Sequence, residues 1–219
     1  GWTDADLGNY NDDYVGCDIA KGLGFIYNSD GNDESIAGAN GYGEFPAALG
    51  CDFFRGPLPD NSIDGVDNNN NGIIDECGED IGMSKFLYYN NNIGSFPVQT
   101  TNPSLASHFY NYMTGFWKDG SPFTEGGNAY GGSTPTNYCY PGELYPNRTG
   151  WNEFDAGNLA GDRRFLQSAG PFTLLPGAVN NVTFGLPWAR SPIKNGNLFV
   201  VSLLKVADTK AQALFDDCF

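Results

Sequence analysis

The chain has 219 residues, and 26 acidic against 11 basic side chains give it a formal charge of −15. A net negative field of that size repels nucleic-acid phosphates and anionic lipid headgroups, so neither is expected as a partner. Only 17% of residues are charged while 40% are hydrophobic and 15% aromatic, which excludes an acidic disordered tail and points to a folded body poor in cations. Glycine (30) and asparagine (24) together favour turns, loops and short strands over helical bundles.

The length suits one domain, residues 1–219, and no run approaches the roughly 18 apolar residues a membrane span needs. In chain order, YVGCDI and GLGFIY between Tyr14 and Tyr27, broken at Ala20-Lys21, read as a hairpin or two sequential strands. Residues 28–44 form a Gly/Asn/Asp loop. AALGCDFF (47–54) and MSKFLYY (83–89) read as strands on either side of a polar insertion, about 55–82, whose length demands internal organisation. Leu105, Phe109, Tyr112, Met113 and Phe116 recur at helical spacing after Asn102-Pro103, so a short helix is expected over 105–117. Residues 118–162 hold no sustained period and read as surface loops anchored by Tyr138, Tyr140 and Trp151.

The last sixty residues carry the clearest patterns. RRFLQSA and PFTLL lead to the turn Pro176-Gly177. Val182, Phe184, Leu186 and Trp188 then alternate with Thr183, Gly185, Pro187 and Ala189, which predicts a half-buried strand with an edge or bulge near Pro187. Val200, Leu203, Leu204, Ala207, Ala211, Leu214, Phe215 and Cys218 fall at steps of three and four, with Lys205, Asp208, Lys210, Gln212 and Asp216 elsewhere. That spacing predicts an amphipathic helix of about 20 residues packed on a sheet. The expected fold is mainly β: a β-sandwich-like domain with long loops, a short central helix and that C-terminal helix.

The insertion holds the strongest chemical motif, DNSIDGVDNNNNGIIDECGE from Asp60 to Glu79. Asp67, Asn69 and Asn71 stand at alternate positions, Gly72 follows for a sharp turn, and Ile73 offers its backbone carbonyl, as in the opening of an EF-hand type Ca²⁺ loop. Calcium takes six to eight hard oxygens at about 2.3–2.6 Å, and alternate residues of a tight turn direct theirs inward. Position 12 of the pattern is Gly78, so closure falls to Asp75, Glu76 or the upstream Asp64. A solvated Asn/Asp turn without metal is the competing reading. A second acidic cluster, Asp4, Asp6, Asp12 and Asp13 with Asn11 and Asp18 beside them, either surrounds a cation or fans out into water.

Five cysteines stand at 17, 51, 77, 139 and 218 with no C-x-x-C pair and a single histidine, His108, so zinc is disfavoured. A Cys51–Cys77 bridge would close a loop of about 25 residues and remove roughly 3 kcal/mol of unfolded-state entropy. Otherwise both are buried thiols of a reducing compartment. For catalysis, His108 has no nucleophile motif near it, and HExxH and glycine-rich phosphate loops are absent. Paired carboxylates of the kind that hydrolyse glycosides stay open among 26 acids.

Taken together, WTDADLGNYNDDYVGCD, GYGEFPAALGCDFFRGP, DGVDNNNNGIIDE, DRRFLQSAGPFTLLPGAVNNVTFG and VADTKAQALFDDCF resemble a family of secreted Bacteroidetes proteins exported by the type IX secretion system, which carry a C-terminal sorting domain. The resemblance implies an oxidising exterior, a β-rich body and calcium at the Asp67 to Glu76 loop, and it implies no enzyme. Relatives have strands before the GWTDADLG segment and a sorting domain after the final helix. The chain is therefore expected to be the later part of a longer protein, its first strands pairing with material outside these residues. The expected function is an extracellular or cell-surface structural or adhesion protein, calcium-stabilised and non-catalytic. Its expected partners are other segments of the same precursor, neighbouring subunits, and glycans. The alternative is a glycan-binding or hydrolytic accessory domain of a secreted polysaccharide-degrading enzyme.

Overall fold

The computed structural model describes residues 2–3, 7–61, 63–91 and 94–218. Its secondary structure is mainly strands in antiparallel sheets with few helices. The expected hairpin forms β2 (Asp13–Asp18) and β3 (Leu23–Asn28), paired from Asp13↔Asn28 to Asp18↔Leu23. Strand β4 (Ala47–Arg55) continues this sheet, and its far side carries β7 (Thr183–Gly185) and β8 (Trp188–Arg190) end to end. The second sheet has the order β1 (Trp2–Thr3), β6 (Arg163–Ser168), β5 (Lys85–Asn90). Residues 47–54 and 83–89 are thus strands, as expected, but of different sheets.

Alternation along β2, β3 and β4 divides the core in two. Val15, Cys17, Ile26 and Cys51 face the β5/β6 sheet and pack with Phe86, Leu87, Phe165 and Leu166. Tyr14, Phe25, Tyr27 and Ala48 face the opposite way and pack against Val200, Val201 and Leu204 of the C-terminal helix α3 (Phe199–Cys218). Gly24 marks the closest approach of the two sheets: a Cβ there would lie 2.6 Å from Gln167 Oε1 and from the Phe86 ring. That contact excludes any side chain and lets the Gln167 amide donate to the Gly22 carbonyl.

Several expectations need correction. In the 182–189 strand, Val182, Phe184, Leu186 and Trp188 are exposed, although register sets Phe184 and Trp188 beside the core-packed Phe53 and Leu49, while on the other face the Phe54 ring fills the space over Gly185. The central helix is shorter than its apolar pattern, α1 (Ala106–Thr114), and ends on left-handed Gly115. It buries only Tyr112, whose hydroxyl donates to Gln99 and Thr101 carbonyls, whereas Leu105, Phe109, Met113 and Phe116 are exposed. The 118–162 segment contains one further short helix, α2 (Glu153–Ala156), capped by the Asn152 side chain. Finally, Asp208 belongs to the buried face of α3 and Leu214 to its exposed face. Among the described residues no helix is long and apolar enough to cross a membrane.

Candidate metal centre and the buried carboxylates

The loop from Asp60 to Asp80 leaves the end of β4 and returns to β5, so both of its ends are fixed. Asp60 accepts from the backbone and hydroxyl of Thr173 at 2.6 and 2.7 Å, and Asp80 accepts from Gly56 N–H at 2.6 Å. Between these anchors the acidic and amide side chains close the chain on itself. Asp67 accepts from the N–H groups of Asn71 and Gly72 at 3.1 and 2.8 Å, and Asn71 Oδ1 accepts from Ile73 N–H at 2.8 Å. Glu76 Oε1 draws in the amides of Asn69 and Asn71 at 2.8 and 2.5 Å, and Asp75 Oδ1 accepts from the backbones of Asp64 and Gly65, both at 2.9 Å. Left-handed backbone at Asn70, Gly72 and Asp75 makes the turns this requires.

The structure therefore brings Asn69, Asn71 and Glu76 together, and separately Asp64 and Asp75. Ile73 enters through its N–H, and its side chain lies in solvent. Sequence reasoning missed Glu79, which is buried, accepts from Asn68 N–H through Oε1, and keeps Oε2 shielded with no hydrogen-bond partner. Glu76 Oε2 is shielded and unpartnered in the same way. Among the described residues, no three Asp, Glu, His or Cys side chains converge on one point as a metal ion requires. Asp67 with both oxygens, and Asp64, Asp75 and Glu79 with one each, accept from backbone N–H groups instead.

The amino-terminal cluster assembles differently from its expectation. Asp4 and Asp6 lie outside the described residues. Asp13 is buried at the start of β2, opposite Asn28. Asp12 instead faces acids of the 28–44 loop: burial first, then Asp33, Asp30 and Glu34, push its carboxyl up to about 7, and both its oxygens are shielded without a partner. Asp33 is held by the N–H groups of Asn9 and Tyr42, each at 2.9 Å. The signal for this grouping was present in Asp30-Gly31-Asn32-Asp33-Glu34, a second alternation of oxygen-bearing residues around a glycine.

Two more buried acids have no sequence signature. Glu153 of α2 accepts from Arg163 Nη2 at 2.9 Å and Nε at 3.1 Å, and from Val15 N–H at 2.7 Å. Arg163 is also in contact with Asn90 Oδ1 and lies over the rings of Tyr88 and Phe96. On the opposite side of the larger sheet, Asp52 of β4 and Asp208 of α3 share a hydrogen bond. Burial and then the neighbouring Asp208 charge push the Asp52 carboxyl up, and burial raises Asp208 as well, so the pair retains a proton above the ordinary carboxylate range. Lys21 lies 3.6 Å from Asp208.

The cysteines are thiols here: Cys51 is buried in β4, and Cys77 is exposed in the acidic loop. Cys17 and Cys139 are both fully buried, and Cys17 Sγ lies 3.5 Å from the Cys139 carbonyl. A groove of about 620 Å³ between α1 and the ends of β5 and β6 is lined by Tyr110, Met113, Leu166 and Pro171 together with Lys85 and small polar residues. None of its lining residues is acidic, so it lacks the carboxylate pair glycoside hydrolysis needs. Comparison with protein-family models, with curated proteins and with solved structures gives no match for this chain.

Proposed function

We propose that the chain is a secreted, calcium-stabilised structural or adhesion protein of the cell exterior or cell surface, without catalytic activity, built as a β-sandwich-like domain. The observation that carries the calcium reading is the pair of shielded, unpartnered oxygens, Glu76 Oε2 and Glu79 Oε2, in a loop otherwise closed by hydrogen bonds among its own residues. A carboxylate oxygen removed from water costs stability unless something replaces the lost hydrogen bonds. A hard cation held by Asp67, Asn69, Asn71, Asp75, Glu76 or Glu79 would do so and would offset local negative charge. The long polar insertion then serves as a clip between β4 and β5. Secretion follows from the resemblance of the sequence to type IX substrates, and an oxidising exterior would permit a Cys51–Cys77 bridge.

Thermal unfolding in excess Ca²⁺ and in chelator tests the metal. Selective binding to the folded state at a hundredfold excess over Kd contributes about 2.7 kcal/mol, so the midpoint should rise by several degrees and the rise should vanish in Asp67→Ala. An unchanged midpoint refutes a structural site. Peptide mapping under non-reducing conditions decides the bridge.

A further inference from the structure

Phe86 of β5 and Gln167 of β6 meet Gly24 of the larger sheet, so by alternation Lys85, Leu87 and Tyr89 of β5 stand with Leu166 and Ser168 of β6 on the other face. Helix α1 covers part of that face. The Tyr112 ring stacks on Tyr89 at 5.7 Å, and the helix stops at Gly115, where a Cβ would lie 3.2 Å from Lys85 Cδ. Between α1 and the 169–171 segment the face stays open as the groove of about 620 Å³. Leu166 is buried beneath it, while Tyr110 and Met113 are 65% and 47% exposed along it. Lys85 is the one charged residue in its lining. One Lys85 N–H donates to Asn137 Oδ1 at 2.5 Å, and none of the ion pairs among the described residues involves this lysine. Burial lowers its ammonium from the usual range, and no neighbouring charge opposes that shift. The Ser84 and Thr114 hydroxyls donate to the carbonyls of Ser168 and Tyr110, so of these three side chains only Lys85 has donors left.

We propose that this groove binds a medium-chain aliphatic carboxylate, its chain lying along Tyr110, Met113, Leu166 and Pro171 and its carboxylate accepting from Lys85 Nζ. The volume falls within the roughly 300–1,000 Å³ of small-molecule sites, and a mainly apolar lining with one charged group is their usual composition. A single ammonium matches a single carboxylate. A dianionic phosphate would leave one charge unmatched, and a cationic headgroup would meet Lys85 as a like charge. Pairing also replaces the hydration that burial removes from the ammonium. The chain's charge of −15 opposes an anion at long range, but no acidic side chain lines the groove, and at physiological salt exposed charges beyond about 8 Å are largely screened. The inference requires neither calcium nor secretion.

Octanoate is the probe, with octanol as its uncharged control and octyltrimethylammonium as its cationic one. The chain has two methionines, buried Met83 and groove-lining Met113, so ¹³C-methyl methionine spectra report on the site directly. Octanoate should move the Met113 signal saturably, leave Met83 in place, and bind at least tenfold tighter than either control. Lys85→Gln keeps a donor for Asn137 and should bring octanoate down to the affinity of octanol while leaving octanol unchanged. Tyr110→Ser should weaken octanoate and octanol alike. No movement of Met113, equal binding of octanoate and octanol, equal or tighter binding of the cation, or indifference of octanoate to Lys85→Gln would each overturn the proposal. So would movement of Met83 together with a loss of circular dichroism, which marks denaturation by a surfactant. If Lys85→Gln does not fold, the three ligands compared on the wild type decide alone.

Discussion

Glu153 and Asp52 are both carboxyls removed from solvent, one on each side of the molecule, and the fold accommodates them by opposite means. Around Glu153, a guanidinium, a backbone N–H and the rings over Arg163 surround an ion pair with both charges matched. Around Asp52 the matching group is a proton, shared with Asp208, while Lys21 balances the one remaining charge. The first arrangement sets two opposite charges against each other, and burial raises the Glu153 carboxyl above its usual range. The second depends on pH, and it joins β4 to α3.

Removing the cation from the first region should have the largest effect. Arg163→Ala leaves Glu153 buried and unmatched and should cost about 3–5 kcal/mol in chemical denaturation. The double substitution Glu153→Leu/Arg163→Met should recover much of that loss, because it removes both charges. The proton-matched region responds to pH instead. The folded state holds a proton on Asp52 that the unfolded chain releases above its ordinary carboxylate value. Stability should therefore fall as pH rises through and above the ordinary carboxylate range. Asp52→Asn keeps a donor to Asp208 without an ionisable group, so its urea midpoint should be flatter across this range and should exceed the wild type's at pH 8. A slope unchanged in Asp52→Asn would remove the shared proton from the account. The exposed Arg148–Asp155 pair, at 2.9 Å, is the outer reference: Arg148→Ala should cost less than about 1 kcal/mol.

Periodicity and apolar runs reported β2, β3, β4, β5 and the C-terminal helix correctly because backbone geometry alone imposes periods of two and 3.6. It could not report which face turns inward. In the 182–189 strand the apolar set was identified, yet it is the set left exposed, and the Phe54 ring fills the space over Gly185 on the other face. Asp208 was placed among the solvent-facing residues of α3 by its charge, since its partner Asp52 lies 156 positions earlier in the chain. The acidic loop was legible as a ligand-rich turn because its spacing is local. Glu79 was overlooked because its burial depends on how the loop folds back onto β4 and β5, and the Asp12 grouping because Asp30 and Asp33 come from a different loop.

The placement of the five cysteines divides them into two chemical populations. Burial holds the Cys17 and Cys139 thiols well above their usual range and raises Cys51, so all three carry little thiolate at neutral pH, while Cys77 and Cys218 lie in solvent. Thiolate is the reactive form. With all five thiols reduced, a maleimide should therefore mark Cys77 and Cys218 rapidly and the other three only as the fold opens. The slow phase then times the opening of the β2–β3–β4 sheet without any engineered probe.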